Sequence, residues 1–168
     1  MDDQLLVIFQ RQVEAQCRIA FGAIEDIGGS FPWGGVQNLV NAAANISKLC
    51  WGSGGKAAAR RAELRRSLNI AEDSPLRMTR MRNHWEHLDE RIDEWWRTSS
   101  SRTYIDMSQV PQSMIRGFAK KDCFRNLDES GRGRVLTFWG ETYDLVAIIE
   151  EIWRIYPVVQ AEVAKVPH

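Results

Sequence analysis

The chain has 168 residues, of which 44% are hydrophobic and 26% are charged, and 22 basic residues balance 22 acidic ones. A chain of this length and composition can bury a core of its own, so a disordered chain and a coiled-coil rod are excluded. The zero net charge gives no whole-chain attraction to nucleic acid, so such a partner would need a local basic patch.

Three cysteines, Cys17, Cys50 and Cys123, lack the paired spacing of a metal or redox motif. Cys17 and Cys50 fall on apolar faces of predicted helices, so we expect buried free thiols, which are typical of a reducing compartment. The chain also shows no signal segment and no apolar run approaching a membrane span. We therefore expect a cytoplasmic protein.

Apolar residues spaced by three or four positions predict two long helices in the first fifty residues. The first begins at Asp2 or Asp3, either of which can cap it, and ends at Gly28-Gly29. The second begins near Pro32 and ends at a glycine-rich segment. A short basic helix is predicted next, over about Lys56–Leu68.

The clearest helical pattern follows Asp73-Ser74-Pro75, a start signal with Ser74 as the cap. An apolar stripe then steps by three or four residues through Met78, Met81, Trp85, Leu88, Ile92 and Trp95. We expect one continuous helix here, ending in the serine-rich segment at 98–101.

Two β-favouring runs, Asp122–Leu127 and Arg134–Trp139, flank a glycine-rich turn and predict a hairpin. The last helix is predicted from about Glu141, and Pro157 is expected to kink or interrupt it. The predicted fold is mainly α: a bundle of about five helices in a single domain, residues 1–168. Residues 102–141 form a loop and β-hairpin insertion between the fourth and last helices.

A polar set lies opposite the apolar stripe of the long predicted helix. At about 100° per residue, Arg82 and His87 flank that face about 7.5 Å apart along the axis. Histidine suits proton transfer near neutral pH, and arginine offers a fork of donors to phosphate oxygens. The set predicts phosphodiester transfer in which an RNA 2′-hydroxyl is the nucleophile, with no metal, and Asn83 could orient either group.

The segment Arg82-Asn83-His84-Trp85-Glu86-His87 resembles the R-x4-6-H motif of HEPN-domain proteins, with a polar residue after the arginine. HEPN domains are α-helical and usually dimerise, which joins two motifs into a composite site. Many are metal-independent endoribonucleases that act as toxins or defence effectors, and others are inactive or bind nucleotides.

The resemblance covers the motif and the helical layout, not the hairpin region. It implies that Arg82 and His87 are catalytic, that Asn83 supports them, and that the protein is a homodimer acting on RNA without a cofactor. An antitoxin or other protein partner belongs to the same expectation. One toxin subgroup carries Tyr two residues after the histidine; Asp89 stands there in this chain, so regulation through that Tyr is not expected.

Residues 56–82 contain eight basic and three acidic side chains, a net charge of +5 that would steer phosphate groups to the motif. We predict that Arg77, Arg80 and Glu86 contact the substrate. In the alternative interpretation this face is solvated, and Arg82 pairs with Glu86 four residues further on.

His84 lies at the edge of the apolar stripe, so we interpret it as partly buried and hydrogen-bonded. It is not expected to share a metal ion with His87. A second function also fits the sequence: a non-catalytic helical module, or an RNA- or nucleotide-binding module, that uses the same face as a dimer or partner surface.

Overall fold

The computed structural model describes residues 1–29, 31–53, 55–77, 79–115, 117–129 and 134–165, with only the backbone of Thr79 and Arg82. Within these residues the protein is mainly helical, with seven α-helices and a small antiparallel sheet late in the chain. The chain divides into two compact units, residues 1–79 with 148–168, and residues 80–147. No helix in the described part is long and apolar enough to cross a membrane.

The first unit contains α1 (Asp3–Ile27), α2 (Trp33–Trp51), α3 (Gly55–Arg60), α4 (Ala62–Ser67) and most of α7 (Leu145–Ala164). The predicted start of α1 is confirmed, because the Asp2 carboxylate accepts the backbone N–H groups of Gln4 and Leu5 at 3.0 and 3.2 Å. The turn between α1 and α2 lies where the glycines and Pro32 predict it.

Cys17 and Cys50 are fully buried and free, as predicted. Burial raises the pKa of both thiols to about 12, so they remain protonated and serve as small apolar core groups.

Two predictions for the first unit need correction. The basic helix expected over Lys56–Leu68 is divided at Arg61 into α3 and α4. Pro157 does not interrupt the last helix, which continues through it to Ala164. Pro157 is exposed, and losing one backbone hydrogen bond there does not outweigh the buried face formed by Ile148, Ile152, Ile155 and Val159.

The second unit contains α5 (Thr79–Glu86) from Arg80 onward, α6 (Leu88–Thr98) and the strands β1 (Arg125–Asp128), β2 (Val135–Phe138) and β3 (Glu141–Asp144). The strands are antiparallel in the order β1-β2-β3, with Asn126 opposite Thr137 and Thr137 opposite Thr142. The predicted hairpin is therefore confirmed. Its turn, residues 130–133, lies outside the described residues.

The third strand was not predicted, since its residues were assigned to the start of the last helix. The chain reverses at Trp139 and Gly140, both with positive φ, and Glu141–Asp144 then pairs with β2. The helix begins only at Leu145, where the Asp144 carboxylate accepts the N–H groups of Val146 and Ala147 at 2.9 and 3.1 Å.

The continuous helix predicted after Pro75 is wrong at both its start and its middle. Ser74 closes a turn by accepting the N–H of Leu76 at 3.3 Å, and α5 begins at Thr79. The helix then stops at Glu86, and α6 starts at Leu88. His87 stands between them with φ −116° and ψ 40°, outside the helical region.

The break divides the apolar stripe between two packing environments. The Trp85 ring packs on Phe138, with ring centroids 4.9 Å apart. Leu88 packs instead against the cluster of Trp95, Phe124 and Trp139. The two helices therefore pack against different aromatic side chains, Phe138 for α5 and the cluster for α6. Of the remaining stripe residues, Met81 is buried, Ile92 is exposed, and Met78 lies outside the described residues.

Candidate functional site: the turn at His87

The helix break changes the geometry of the Arg82–His87 segment. Arg82 and Asn83 belong to α5, whereas His87 lies in the turn before α6. The N–H of His87 donates to the carbonyl of Asn83 at 3.2 Å, and the carbonyl of His87 accepts the N–H of Arg91 at 3.0 Å. The backbone of His87 is thus fixed on both sides, but the angular spacing of a continuous helix does not apply.

The His87 imidazole is half exposed and has one polar partner in the described part of the chain. Its Nδ1 lies 3.3 Å from Oε1 of Glu90, in the first turn of α6, and 51% of the His87 side chain is accessible. A carboxylate only accepts hydrogen bonds, so this contact assigns the proton of a neutral ring to Nδ1. In this tautomer the lone pair is on Nε2, and a neutral imidazole of this form can accept a proton from a substrate.

For the other two residues predicted as catalytic, Asn83 and Arg82, the structure gives the backbone positions in α5. Asn83 is exposed, and its main-chain carbonyl, rather than its amide side chain, contacts His87. The backbone of Arg82 lies in α5 one residue earlier, and its side chain lies outside the described part.

His84 belongs to a separate network. Its Nδ1 accepts a hydrogen bond from Nε of Arg91 at 3.2 Å, and its Nε2 lies 3.8 Å from Oε1 of Glu141. Burial lowers the pKa of His84 and Arg91 lowers it further, although Glu141 opposes both. The prediction that His84 is partly buried and hydrogen-bonded is confirmed, and neither ring nitrogen is positioned to take a proton from a substrate.

The predicted substrate-binding residues lie on the surface. Nη1 of Arg77 is 3.6 Å from Glu72, and Nη1 of Arg80 is 3.5 Å from Glu141. Glu86 is exposed at the end of α5. Exposed ion pairs contribute at most about 1 kcal/mol, so Arg77 and Arg80 could each exchange their carboxylate contact for a phosphate at small cost.

Sequence reasoning missed the two carboxylates that lie beside these histidines, Glu90 and Glu141. Glu90 lies three residues after His87, a spacing that places the two on one helical face and could have been noticed. Glu141 comes from β3, more than fifty residues from His84 in the chain, and no local pattern indicates that contact. Among the described residues, no three His, Cys, Asp or Glu side chains come together as a metal site.

Comparisons with protein-family models, with curated proteins and with solved structures find no match for this chain.

Proposed function

We propose that the protein is a metal-independent endoribonuclease of the HEPN type, active as a cytoplasmic homodimer. The observation that carries the proposal is the His87–Glu90 contact, which orients a half-exposed imidazole and favours the tautomer with its lone pair on Nε2. The HEPN resemblance adds the expectation of an up-and-down helical bundle and of an antitoxin or other protein partner.

In the proposed reaction, Nε2 of His87 takes the proton of a ribose 2′-hydroxyl. The 2′ oxygen attacks the adjacent phosphorus, the bond from phosphorus to the 5′ oxygen breaks, and a 2′,3′-cyclic phosphate forms. The leaving 5′ oxygen takes a proton from the second histidine of the composite site, which enters the reaction as the imidazolium ion. Arg82 stabilises the negative charge on the phosphate oxygens, and Asn83 supports Arg82.

Cleavage kinetics test the assignment directly. Wild type, His87→Ala and Arg82→Ala are incubated with single-stranded RNA in EDTA, beside an Arg97→Ala control changed at an exposed position of α6. Loss of a general base is expected to lower the rate by about 10²–10⁴-fold, while Arg97→Ala cuts at the wild-type rate. Equal rates for wild type and His87→Ala across a broad RNA panel would disprove the catalytic role.

A second candidate is a non-catalytic helical module that uses the same surface for a partner. The ion pairs of Arg77 with Glu72 and of Arg80 with Glu141 favour it, because those cations already have counter-charges. In this case Arg82→Ala and His87→Ala change the oligomeric state or partner binding, measured by light scattering. Neither wild type nor variants would then cleave RNA.

A further inference from the structure

A pocket of about 330 Å³ lies in the first unit, between the start of α1 and the junction of α3 and α4. Three arginines line it, Arg60, Arg61 and Arg66, together with Glu63 and the apolar side chain of Leu5. The division of the predicted basic helix at Arg61 produces this arrangement, since it places the end of α3 and the start of α4 around one opening. The pocket does not include the turn at His87.

The three pocket arginines differ from their neighbour Arg65 in their pairing. Arg65 is buried, and its guanidinium donates to Glu72 at 2.7 Å and to the carbonyls of Cys50 and Ala58. Within the described residues, no hydrogen bond or ion pair joins Arg60, Arg61 or Arg66 to a carboxylate. Arg65 therefore has a structural role, whereas the pocket carries cations that folding leaves without an anionic partner.

Arg61 is held beside the pocket by an aromatic ring. Its guanidinium stacks over the Phe9 ring, with Cζ 3.8 Å from the ring centroid, so the head group is held in place. Its Nε is buried and has no hydrogen-bond acceptor in the described structure. The stacking on Phe9 therefore fixes the Arg61 guanidinium without giving it an anionic partner.

Glu63 is the one carboxylate among the described residues that line the pocket. It accepts a hydrogen bond from the amino group of Met1. That bond, supported by the charges of Met1 and Arg66, holds the pKa of Glu63 below its usual range. Three guanidinium groups beside one carboxylate leave the pocket with a net positive charge.

We propose that this pocket binds a phosphate group, from either a nucleic-acid strand or a free nucleotide. Arginine presents planar pairs of N–H donors that match phosphate oxygens, and three guanidinium groups around one opening suit a tetrahedral anion better than a single carboxylate. The site does not depend on the proposed cleavage chemistry, since it contains none of Arg82, Asn83 and His87.

Binding of a twelve-residue oligothymidylate tests the pocket separately from cleavage, because DNA lacks the 2′-hydroxyl that the proposed reaction needs. The full chain is titrated at several salt concentrations as wild type, as the double variant Arg60→Ala/Arg66→Ala, and as a control with the same loss of charge, Arg18→Ala/Arg97→Ala. Arg60, Arg66, Arg18 and Arg97 are exposed, and the circular dichroism melting of each variant verifies folding.

The pocket variant is expected to bind at least tenfold more weakly. Its slope of log Kd against log salt should fall by about 1.4, or about 0.7 for each of two lost phosphate contacts. The control should retain the wild-type affinity and slope. Wild-type affinity and slope in the pocket variant would overturn the proposal.

Inorganic phosphate and uridine monophosphate distinguish the two sources. Each is titrated into wild-type protein while the arginine Nε–Hε signals are followed by NMR, with chloride as the control. Saturable shifts of the Arg60, Arg61 and Arg66 signals support the site. Tighter binding of the oligonucleotide than of the nucleotide then assigns it to a strand, and comparable binding assigns it to free nucleotides. Unmoved signals with both ligands overturn the proposal.

Discussion

The contact between His87 and Glu90 orients the imidazole ring but adds little to the stability of the fold. Both side chains are largely exposed, so their attraction contributes little to the free energy of unfolding. The contact nevertheless selects which ring nitrogen carries the proton, and a general base needs the lone pair on the nitrogen that faces the substrate. Glu90 is therefore a positioning residue in the proposed reaction.

Replacing Glu90 by glutamine should lower kcat for RNA cleavage by roughly tenfold and leave KM nearly unchanged, because an amide can also donate to the ring and no longer selects the tautomer. The matched control is Asp89→Asn, one position earlier in the same exposed turn. Steady-state kinetics on one RNA substrate measure both variants. Equal kcat values for the two variants would remove Glu90 from the mechanism.

Asp122 is a buried carboxylate with a structural role. It is 1% exposed and accepts hydrogen bonds from the Trp95 indole at 2.9 Å, from Ser99 and Ser101 at 2.8 and 2.9 Å, and from the N–H of Ala119 at 3.1 Å. Burial alone would raise the pKa of Asp122, but these donors together lower it. The charged form therefore stabilises the end of α6 and the loop after it.

Asp122→Asn should reduce the free energy of unfolding by at least about 2 kcal/mol at pH 7, since the amide group meets donors where an acceptor is needed. The lowered pKa adds a pH dependence. The stabilisation is present above the ordinary carboxyl pKa near 4 and is lost as the pH falls through the lower folded value. Urea unfolding should show a smaller difference in the free energy of unfolding between wild type and Asp122→Asn at pH 3 than at pH 7. An equal difference at the two pH values would contradict this role.

Among the elements, α1 and α2 approach each other closely at Gly35. A Cβ added there would lie 2.7 Å from the carbonyl oxygen of Ala23 and 2.7 Å from the backbone nitrogen of Ile27. Backbone atoms cannot yield as a flexible side chain can, so this glycine sets the distance between the helices. The neighbouring Gly34 has open space around the same position.

Gly35→Ala should therefore destabilise the protein by about 1–3 kcal/mol, as overpacking does. Gly34→Ala is the matched control in the same turn of α2, and it should be neutral or stabilising by less than about 1 kcal/mol because alanine favours helix. Urea unfolding of both variants measures the difference. Equal free energies of unfolding for the two variants would mean that α1 and α2 can move apart without loss of stability.

The elements also show which features the sequence could predict. The start of α1, the turn between α1 and α2, and the hairpin depend on local signals, an aspartate cap, glycines and β-favouring runs, and all three are found. The break at His87 has no glycine or proline to mark it. It arises because Trp85 and Leu88 pack on different aromatic residues, a tertiary effect that a helical wheel does not contain.

In the candidate site, too, features set by local sequence could be predicted and features set by tertiary packing could not. The motif residues could be singled out from spacing and residue chemistry, and His84 could be separated from them by its place at the edge of the stripe. The relative positions of Arg82, Asn83 and His87 could not be predicted, because a helical wheel assumes one straight helix. The contacts of His84 with Glu141 and of Arg80 with Glu141 join α5 to a strand that was not predicted.

The whole molecule has a net charge of zero, but its arginines differ in whether they form ion pairs with carboxylates. Several arginines of residues 56–82 are bound to carboxylates, among them Arg65, Arg77 and Arg80. Those of the α3–α4 pocket have no carboxylate partner in the described part of the chain. Total charge therefore says little about anionic ligands here, whereas the pairing of each guanidinium identifies where one would bind.

Analysis of the RNA ends left by the purified protein in EDTA tests directly whether His87 activates a ribose 2′-hydroxyl. We expect fragments that end in a 2′,3′-cyclic phosphate and begin with a 5′-hydroxyl, identified by mass spectrometry. Cleavage should disappear when the ribose at the cut position is replaced by deoxyribose. Fragments with 5′-phosphates, or intact RNA at every substrate tested, would contradict the proposal that His87 activates a 2′-hydroxyl.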